Sequence, residues 1–235
     1  IHEGGHGMYE QGVAKELEHT AVAGGASMGV HESQSRFYEN LIGRSVSFWT
    51  PIFADLNKAY NLDMNLEDFM NYINRAEASL IRTEADELTY PLHIMIRYEI
   101  EQMLFKDEIT VDQLPEVWNQ KVKEFLGIDV PSDAQGVLQD VHWSGGMFGY
   151  FPSYAIGSAI ASQIMVAMKK EMNVDQLLLQ GDLKQIGTFL DHHIHQHGAI
   201  YTTDELLNMM MGESFNPQYY VDYLKDKYTK LYHLN

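Results

Sequence analysis

His2 and His6 stand four residues apart with Glu3 between them, in Ile1-His-Glu-Gly-Gly-His6. Residues four apart on a helix share a face about one turn from each other, so both imidazoles can reach one metal ion. A carboxylate from elsewhere would complete two nitrogens and one oxygen and leave a fourth position for water. That set describes a catalytic zinc site, with Glu3 as general base on the water. The candidate third ligand is Glu32, in His31-Glu32-Ser33-Gln34, twenty-six positions beyond His6. It opens a helix after the small-residue stretch from Thr20 to Gly29. Two antiparallel helices joined there would fold it back over the histidines. Without them, Glu32 reads as a helix-start glutamate favoured by the dipole. Glu39 lies two turns up the same face and is a candidate to hold a ligating imidazole from behind. A rival pair, His193 and His197 with Asp191, has i, i+4 spacing but no adjacent base. It ends a helix just before Gly198, where the dipole already favours histidine.

The elements that must position these groups read as helix in nearly every segment. One helix is expected from His2 to about His19. A second runs from His31 towards Tyr60 with Pro51 as a break, and a shorter one from Leu66 to Arg75. Ala78 to Thr83 could be extended. It leads into a helical pattern from Ala85 to Phe105 that Pro91 interrupts. Val111 to Leu126 is amphipathic and stops at Gly127, and Pro131-Ser132-Asp133 caps a short helix to about Asp140. Val141 to Tyr154 is rich in glycine and aromatics and has no clear period. Ala155 to Met172 is apolar almost all round, which predicts a helix buried in the middle of the domain. Leu183 to His197, a capping box at Thr202 and Glu205, and Pro217 to Leu231 complete one all-α domain.

The formal charge of -17 argues against a nucleic-acid partner, whose phosphates would be repelled. With 45% hydrophobic residues the chain is globular, and no apolar run approaches the roughly 20 residues needed to span a bilayer. There is no cysteine, so disulfides and thiolate sites are excluded. That leaves the compartment open, with a cytoplasmic location as the working expectation. The chain starts at Ile1, one residue before a ligand, and reads as a piece whose N-terminal part is missing.

Several motifs stand together. His2-Glu-Gly-Gly-His6 with Tyr9-Glu-Gln-Gly12 precedes His31-Glu-Ser-Gln34 and Ile81-Arg-Thr-Glu-Ala-Asp-Glu-Leu88. His142-Trp143, Gly149-Tyr-Phe-Pro-Ser-Tyr154 and His195-Gln-His-Gly198 come later. In order and separation they resemble the carboxypeptidase Taq family of thermostable metallocarboxypeptidases, along the chain from Ile1 to Asn235. The resemblance covers that family's C-terminal half, whose upstream His-Pro-Phe and Asp-x-Arg-x-Thr motifs do not occur here. It implies release of single residues from peptides with a free C-terminus, a homodimer, and a divalent metal, zinc or cobalt. It also implies an all-helical zincin-like fold similar to neurolysin and angiotensin-converting enzyme, with residues 1–235 as the catalytic portion. His2, His6 and Glu32 match the ligand positions and Glu3 the general base.

An exopeptidase must hold a free carboxylate, which suits the bidentate fork of arginine. Of five arginines, Arg82 lies in the matched Ile-Arg-x-x-Ala-Asp-Glu-Leu motif and is the candidate. Its other reading is a salt bridge to Glu84, Asp86 or Glu87. Arg97, near Glu99 and Glu101, reads as a helix-face ion pair. The developing oxyanion of amide hydrolysis needs a donor, and His142 and Tyr154 are candidates, with Tyr150 a further substrate contact. Their twelve-residue separation is similar to that of a His and Tyr pair in neurolysin-like peptidases. A non-catalytic helical fragment lacking the upstream half of the cleft is the alternative expectation.

Overall fold

Local chemistry starts most of the helices. Ser27 accepts a hydrogen bond from Val30 N at 3.1 Å, and Thr202 and Glu205 form the reciprocal capping box expected of them. The computed structural model describes residues 1–234, and no β-strand occurs among them. In chain order the helices are α1 His2–Gly12, α2 Met28–Arg36, α3 Val46–Trp49, α4 Phe53–Tyr60, α5 Leu66–Ile73 and α6 Tyr90–Phe105. Next come α7 Leu114–Leu126, α8 Pro152–Glu171, α9 Val174–Leu179, α10 Leu183–His193, α11 Thr203–Met211 and α12 Gln218–Leu231. The all-α expectation holds.

Several boundaries differ from the sequence reading, each for a local reason. Helix α1 ends at Gly12, because Val13 turns extended and Ala14 N donates to Gln196 O at 3.3 Å. Pro91 does not interrupt its helix but sits in its first turn, where proline costs no hydrogen bond. Asp86 organises that start by accepting from Leu88 N and Thr89 N at 2.8 and 3.0 Å. In the stretch before it Ile81 is extended, and a short 3-10 turn, Arg82–Glu84, follows. The helix expected towards Asp140 shrinks to another, Asp133–Gln135. Helix α2 runs into a π-helical turn, Phe37–Ile42, in which Gly43 N reaches back to Tyr38 O at 2.8 Å.

Where one domain was expected, contacts divide the chain more finely into two compact units, Ile1–Ile73 with Ile156–Asn235, and Asn74–Ala155. The first unit is built round α8, whose middle, from Gly157 to Met168, is buried almost all round as its sequence predicts. Ile160, Ile164 and Met168 pack with Phe37, Ile186 and Leu190, each at most 1% exposed. A fully buried side chain of this kind stabilises by about 1.5–3 kcal/mol. In the second unit α6 and α7 pack through Ile96, Ile100, Trp118 and Val122. Tyr90, Ile94 and Phe151 form a smaller cluster in the same unit.

Candidate metal centre and arginine cluster

In the first unit, α1 holds His2 and His6 one turn apart, their rings edge to face with centroids 5.0 Å apart. Helix α2 brings Glu32, 4% exposed, against both. Glu32 Oε1 lies 3.8 Å from His2 Nε2 and Oε2 lies 3.5 Å from His6 Nε2. Among the described residues, these three form the group of His and carboxylate side chains whose ligand atoms all lie within 4.8 Å of one another. Donors each about 2.1 Å from one tetrahedral ion would stand about 3.4 Å apart.

Two glycines permit this approach. A Cβ on Gly5 would sit 2.5 Å from Gln34 O, so α1 and α2 touch backbone to backbone. A Cβ on Gly157 of α8 would sit 2.7 Å from Cβ and Cγ of Glu32.

The protons show what the site can take. His2 Nδ1 is 2.7 Å from Glu39 Oε2, and an ionised carboxylate only accepts, so His2 carries its proton there. His31 Nε2 is 2.6 Å from Glu10 Oε1 and carries its proton for the same reason. Neutral His31 then offers only a lone pair at Nδ1, 2.7 Å from His6 Nδ1, which must be the donor. Both Nε2 atoms therefore present lone pairs towards the Glu32 oxygens, with no proton to share. Such a set fits a divalent cation. Burial lowers the pKa of His6, with the charges of His31 and His2 adding and that of Glu3 opposing, which favours the neutral ring a ligand needs. Burial raises that of Glu32, against Arg36 and His2. Arg36 bridges the carboxylates, Nε to Glu32 Oε1 and Nη1 to Glu39 Oε2, both at 3.0 Å. Glu39 thus holds His2 as expected, and its pKa is lowered because these bonds and charges outweigh its burial. Glu3 is exposed on the first turn of α1.

The rival histidines are occupied differently. His193 Nε2 faces Glu171 Oε1 at 3.7 Å and His197 Nε2 lies 3.1 Å from His192 O. Asp191 instead pairs with His195 at 2.6 Å.

In the second unit, Arg82 is 7% exposed and pairs with a residue that none of its expected partners anticipated. Its Nε and Nη2 donate to Asp140 Oδ1 at 2.9 and 2.6 Å, and Nη1 donates to Tyr90 OH at 3.0 Å. Arg97 is not a helix-face ion pair. It is fully buried and donates to Asp140 Oδ2 through Nε at 2.7 Å and through Nη2. Two guanidiniums thus share one carboxylate, leaving one net positive charge. Burial raises the pKa of Asp140, but the Arg82 bond and both arginine charges outweigh it and hold it low. Burial pushes Arg97 down to about 10 despite Asp140. Buried His93, whose Nε2 has no hydrogen-bond partner among the described residues, is pushed down to about 4 by burial and by Arg97 and Arg82.

His142 Nε2 lies 3.1 Å from Tyr154 OH, so the expected pair does meet. The Tyr154 ring covers the Arg82 guanidinium at 4.9 Å, and Tyr150 packs on both members of the pair with centroids 5.6 and 5.3 Å away. Glu101 ties the intervening loop to α6, accepting from Trp143 Nε1 at 2.7 Å and Gly149 N at 2.9 Å.

An all-helical chain carrying this donor set stands among the helical metallopeptidases. The model of the carboxypeptidase Taq (M32) metallopeptidase family matches residues 1–228, and the chain belongs to that family. Carboxypeptidase 1 of Bacillus subtilis is 48% identical over 99% of the chain and 47% of its own length. The crystal structure of the M32 carboxypeptidase from Deinococcus radiodurans superposes with a TM-score of 0.95 at 37% identity, over 99% of this chain and 48% of that one. Trypanosoma cruzi metallocarboxypeptidase 1 gives 0.92 at 44% identity, over 97% and 49%. The chain spans about half the length of the curated relatives it matches. No helix among the described residues is long and apolar enough to cross a membrane.

Proposed function

We propose that this chain carries the metal-binding part of a carboxypeptidase that releases single C-terminal residues. The observation behind the reading is the convergence of His2, His6 and Glu32, whose ligand atoms all lie within 4.8 Å of one another, with the far nitrogen of each imidazole engaged by another side chain. His2, His6 and Glu32 would hold the cation, zinc or cobalt. When bound, such an ion supplies Lewis acidity, activating a water and polarising a carbonyl.

The protein's own groups do the rest. Glu3 takes the proton of the attacking water on its carboxylate. Tyr154 donates its hydroxyl proton towards the oxyanion. His142 Nε2, 3.1 Å from that hydroxyl, orients it. Arg82 receives the substrate carboxylate with the N–H groups that Asp140 and Tyr90 leave unused, the net positive charge of its cluster favouring an anion. Tyr150 contacts the substrate beside them. A homodimer belongs to the same reading.

The test is hydrolysis of a blocked dipeptide and of its C-terminally amidated counterpart by the 235-residue chain with zinc or cobalt. Turnover of the free acid alone, abolished by Glu3→Gln with metal still bound, is expected. Equal cleavage of the amide would overturn the exopeptidase role, and full activity of Glu3→Gln would overturn the general base. Metal binding without any hydrolysis would favour the non-catalytic alternative.

A further inference from the structure

The two candidate histidine ligands are held from behind in different ways. His2 leans on a carboxylate, Glu39, which accepts its Nδ1 proton whatever else happens. His6 leans on another imidazole, 2.7 Å away. An imidazole can accept or donate at Nδ1 depending on its tautomer, so it is an ambiguous partner. The ambiguity is removed one residue further out. Glu10 Oε1 sits 2.6 Å from His31 Nε2 and can only accept, which forces the His31 proton to that nitrogen and leaves its Nδ1 as an acceptor.

We propose that His31 and Glu10 are positioning residues for His6, a two-member relay that fixes its tautomer and ring plane so that Nε2 keeps its lone pair towards Glu32. The inference rests on the reading of His6 as a metal ligand.

The seat of His31 is built for orientation. The fully buried Tyr9 ring packs against it at a tilt, with centroids 5.1 Å apart. Tyr9 is itself pinned, its hydroxyl accepting from Ala26 N at 3.0 Å and its other neighbour being His195, 5.2 Å away. His195 is anchored at both nitrogens, by Asp191 at 2.6 Å and Gln34 Oε1 at 2.9 Å. Glu10 lies two turns beyond His2 on α1 and His31 directly precedes Glu32 on α2. The helix pair that supplies the ligands therefore also supplies the relay.

The distinction from a merely structural role is that the relay acts on metal affinity through one acceptor atom. The decisive series is His31→Leu, His31→Asn, Glu10→Ala and His6→Ala in the 235-residue chain. Zinc dissociation constants are read by chelator competition, the visible spectrum is taken with cobalt, and the metal-free urea midpoint serves as a folding control. His31→Leu removes the acceptor, and a 10–100-fold weaker affinity with shifted cobalt bands is expected. In His31→Asn, Oδ1 takes the place of Nδ1 and restores most of the affinity. Glu10 has a half-exposed side chain, so Glu10→Ala keeps the fold, and a loss of several-fold is expected. Wild-type affinity in both His31→Leu and Glu10→Ala would overturn the relay, as would an Asn variant as weak as Leu. If His31→Leu fails to fold, unchanged affinity in Glu10→Ala alone overturns it. Wild-type affinity in His6→Ala would instead sink the ligand reading itself.

Discussion

Gly5 packs directly on the backbone of Gln34, so closely that an added Cβ would lie 2.5 Å from the carbonyl oxygen and 2.6 Å from Ser35 Cα. Neither atom is the end of a flexible side chain, so nothing there can swing aside. Gly5→Ala is expected to prise α1 from α2, destabilising the chain by about 1–3 kcal/mol. It should also move His2 and His6 away from Glu32. Urea denaturation measures the first effect and zinc affinity the second; a variant with both unchanged would show that the helices have room to spare.

Gly157→Ala presses on the other side of the site, against Cβ and Cγ of Glu32. Glu32 Cβ is fixed by its backbone, whose carbonyl carbon would lie 2.9 Å from the added atom, so α8 and α2 must part and a loss of stability comparable to that of Gly5→Ala is expected. Metal affinity should fall as well, because Glu32 moves with α2. Thermal unfolding and metal titration measure the two effects, and a variant unchanged in both would show that α8 has room beside Glu32.

Asp140 answers two buried guanidiniums, and removing its charge leaves both uncompensated. Asp140→Asn is expected to cost about 3–5 kcal/mol, in the range for breaking a buried ion pair. Replacing Arg97 with Met in that background should return part of the loss by removing one of the stranded charges. Denaturant midpoints for the single and double variants test this, and additive losses would contradict the shared-carboxylate picture.

His93 predicts a pH dependence. Its folded pKa, about 4, lies below the ordinary 6.5, so the unfolded chain takes up a proton that the folded chain refuses. Stability from this group is complete above about pH 6.5 and drains away as the pH falls towards 4. The whole effect is about 3 kcal/mol at 1.36 kcal/mol per pH unit. Asp140, also held low, adds its own loss as the pH falls through the ordinary carboxylate range and below. In His93→Gln the slope of stability between pH 6.5 and 4 should flatten.

Tyr154→Phe keeps the ring over Arg82 and removes the hydroxyl that meets His142. If that proton reaches the oxyanion, the turnover number falls about 100-fold or more with little change in peptide binding. A loss confined to binding would move Tyr154 into substrate recognition.

The candidate ligands were legible because their arrangement is a matter of helical period. Four residues bring His2 and His6 together, and the connection from Val13 to Ser27 returns the chain past Glu32. Glu39 came from the same arithmetic. Asp140 was not legible, since it meets Arg82 and Arg97 from 58 and 43 residues away. It also lies in an irregular stretch with no period to place it. Arg97 has an apparent partner four residues on, in Glu101, yet Glu101 serves the Trp143 loop instead. Tertiary geometry outweighs the local pair. His31 escaped notice beside Glu32 because adjacent helical residues point about 100° apart, and nothing in its own spacing names His6 as its partner. Helix α9 has six residues, too few to show a period, and was missed altogether.

The π-helical turn Phe37–Ile42 has a consequence for which changes the chain can tolerate. It fits one residue more into a turn than an α-helix does, so the residues beyond it are rotated by roughly 100°. Before it, Glu32 and Arg36 face the donors; within it, Phe37, Leu41 and Ile42 enter the core. Deleting any one of its residues would let the backbone relax into ordinary α-helical bonding, yet would swing one of those two sets out of place. Substitutions that keep the length have no such effect. In this stretch the number of residues is therefore a constraint in its own right, beside the identity of Glu39 and of the core residues.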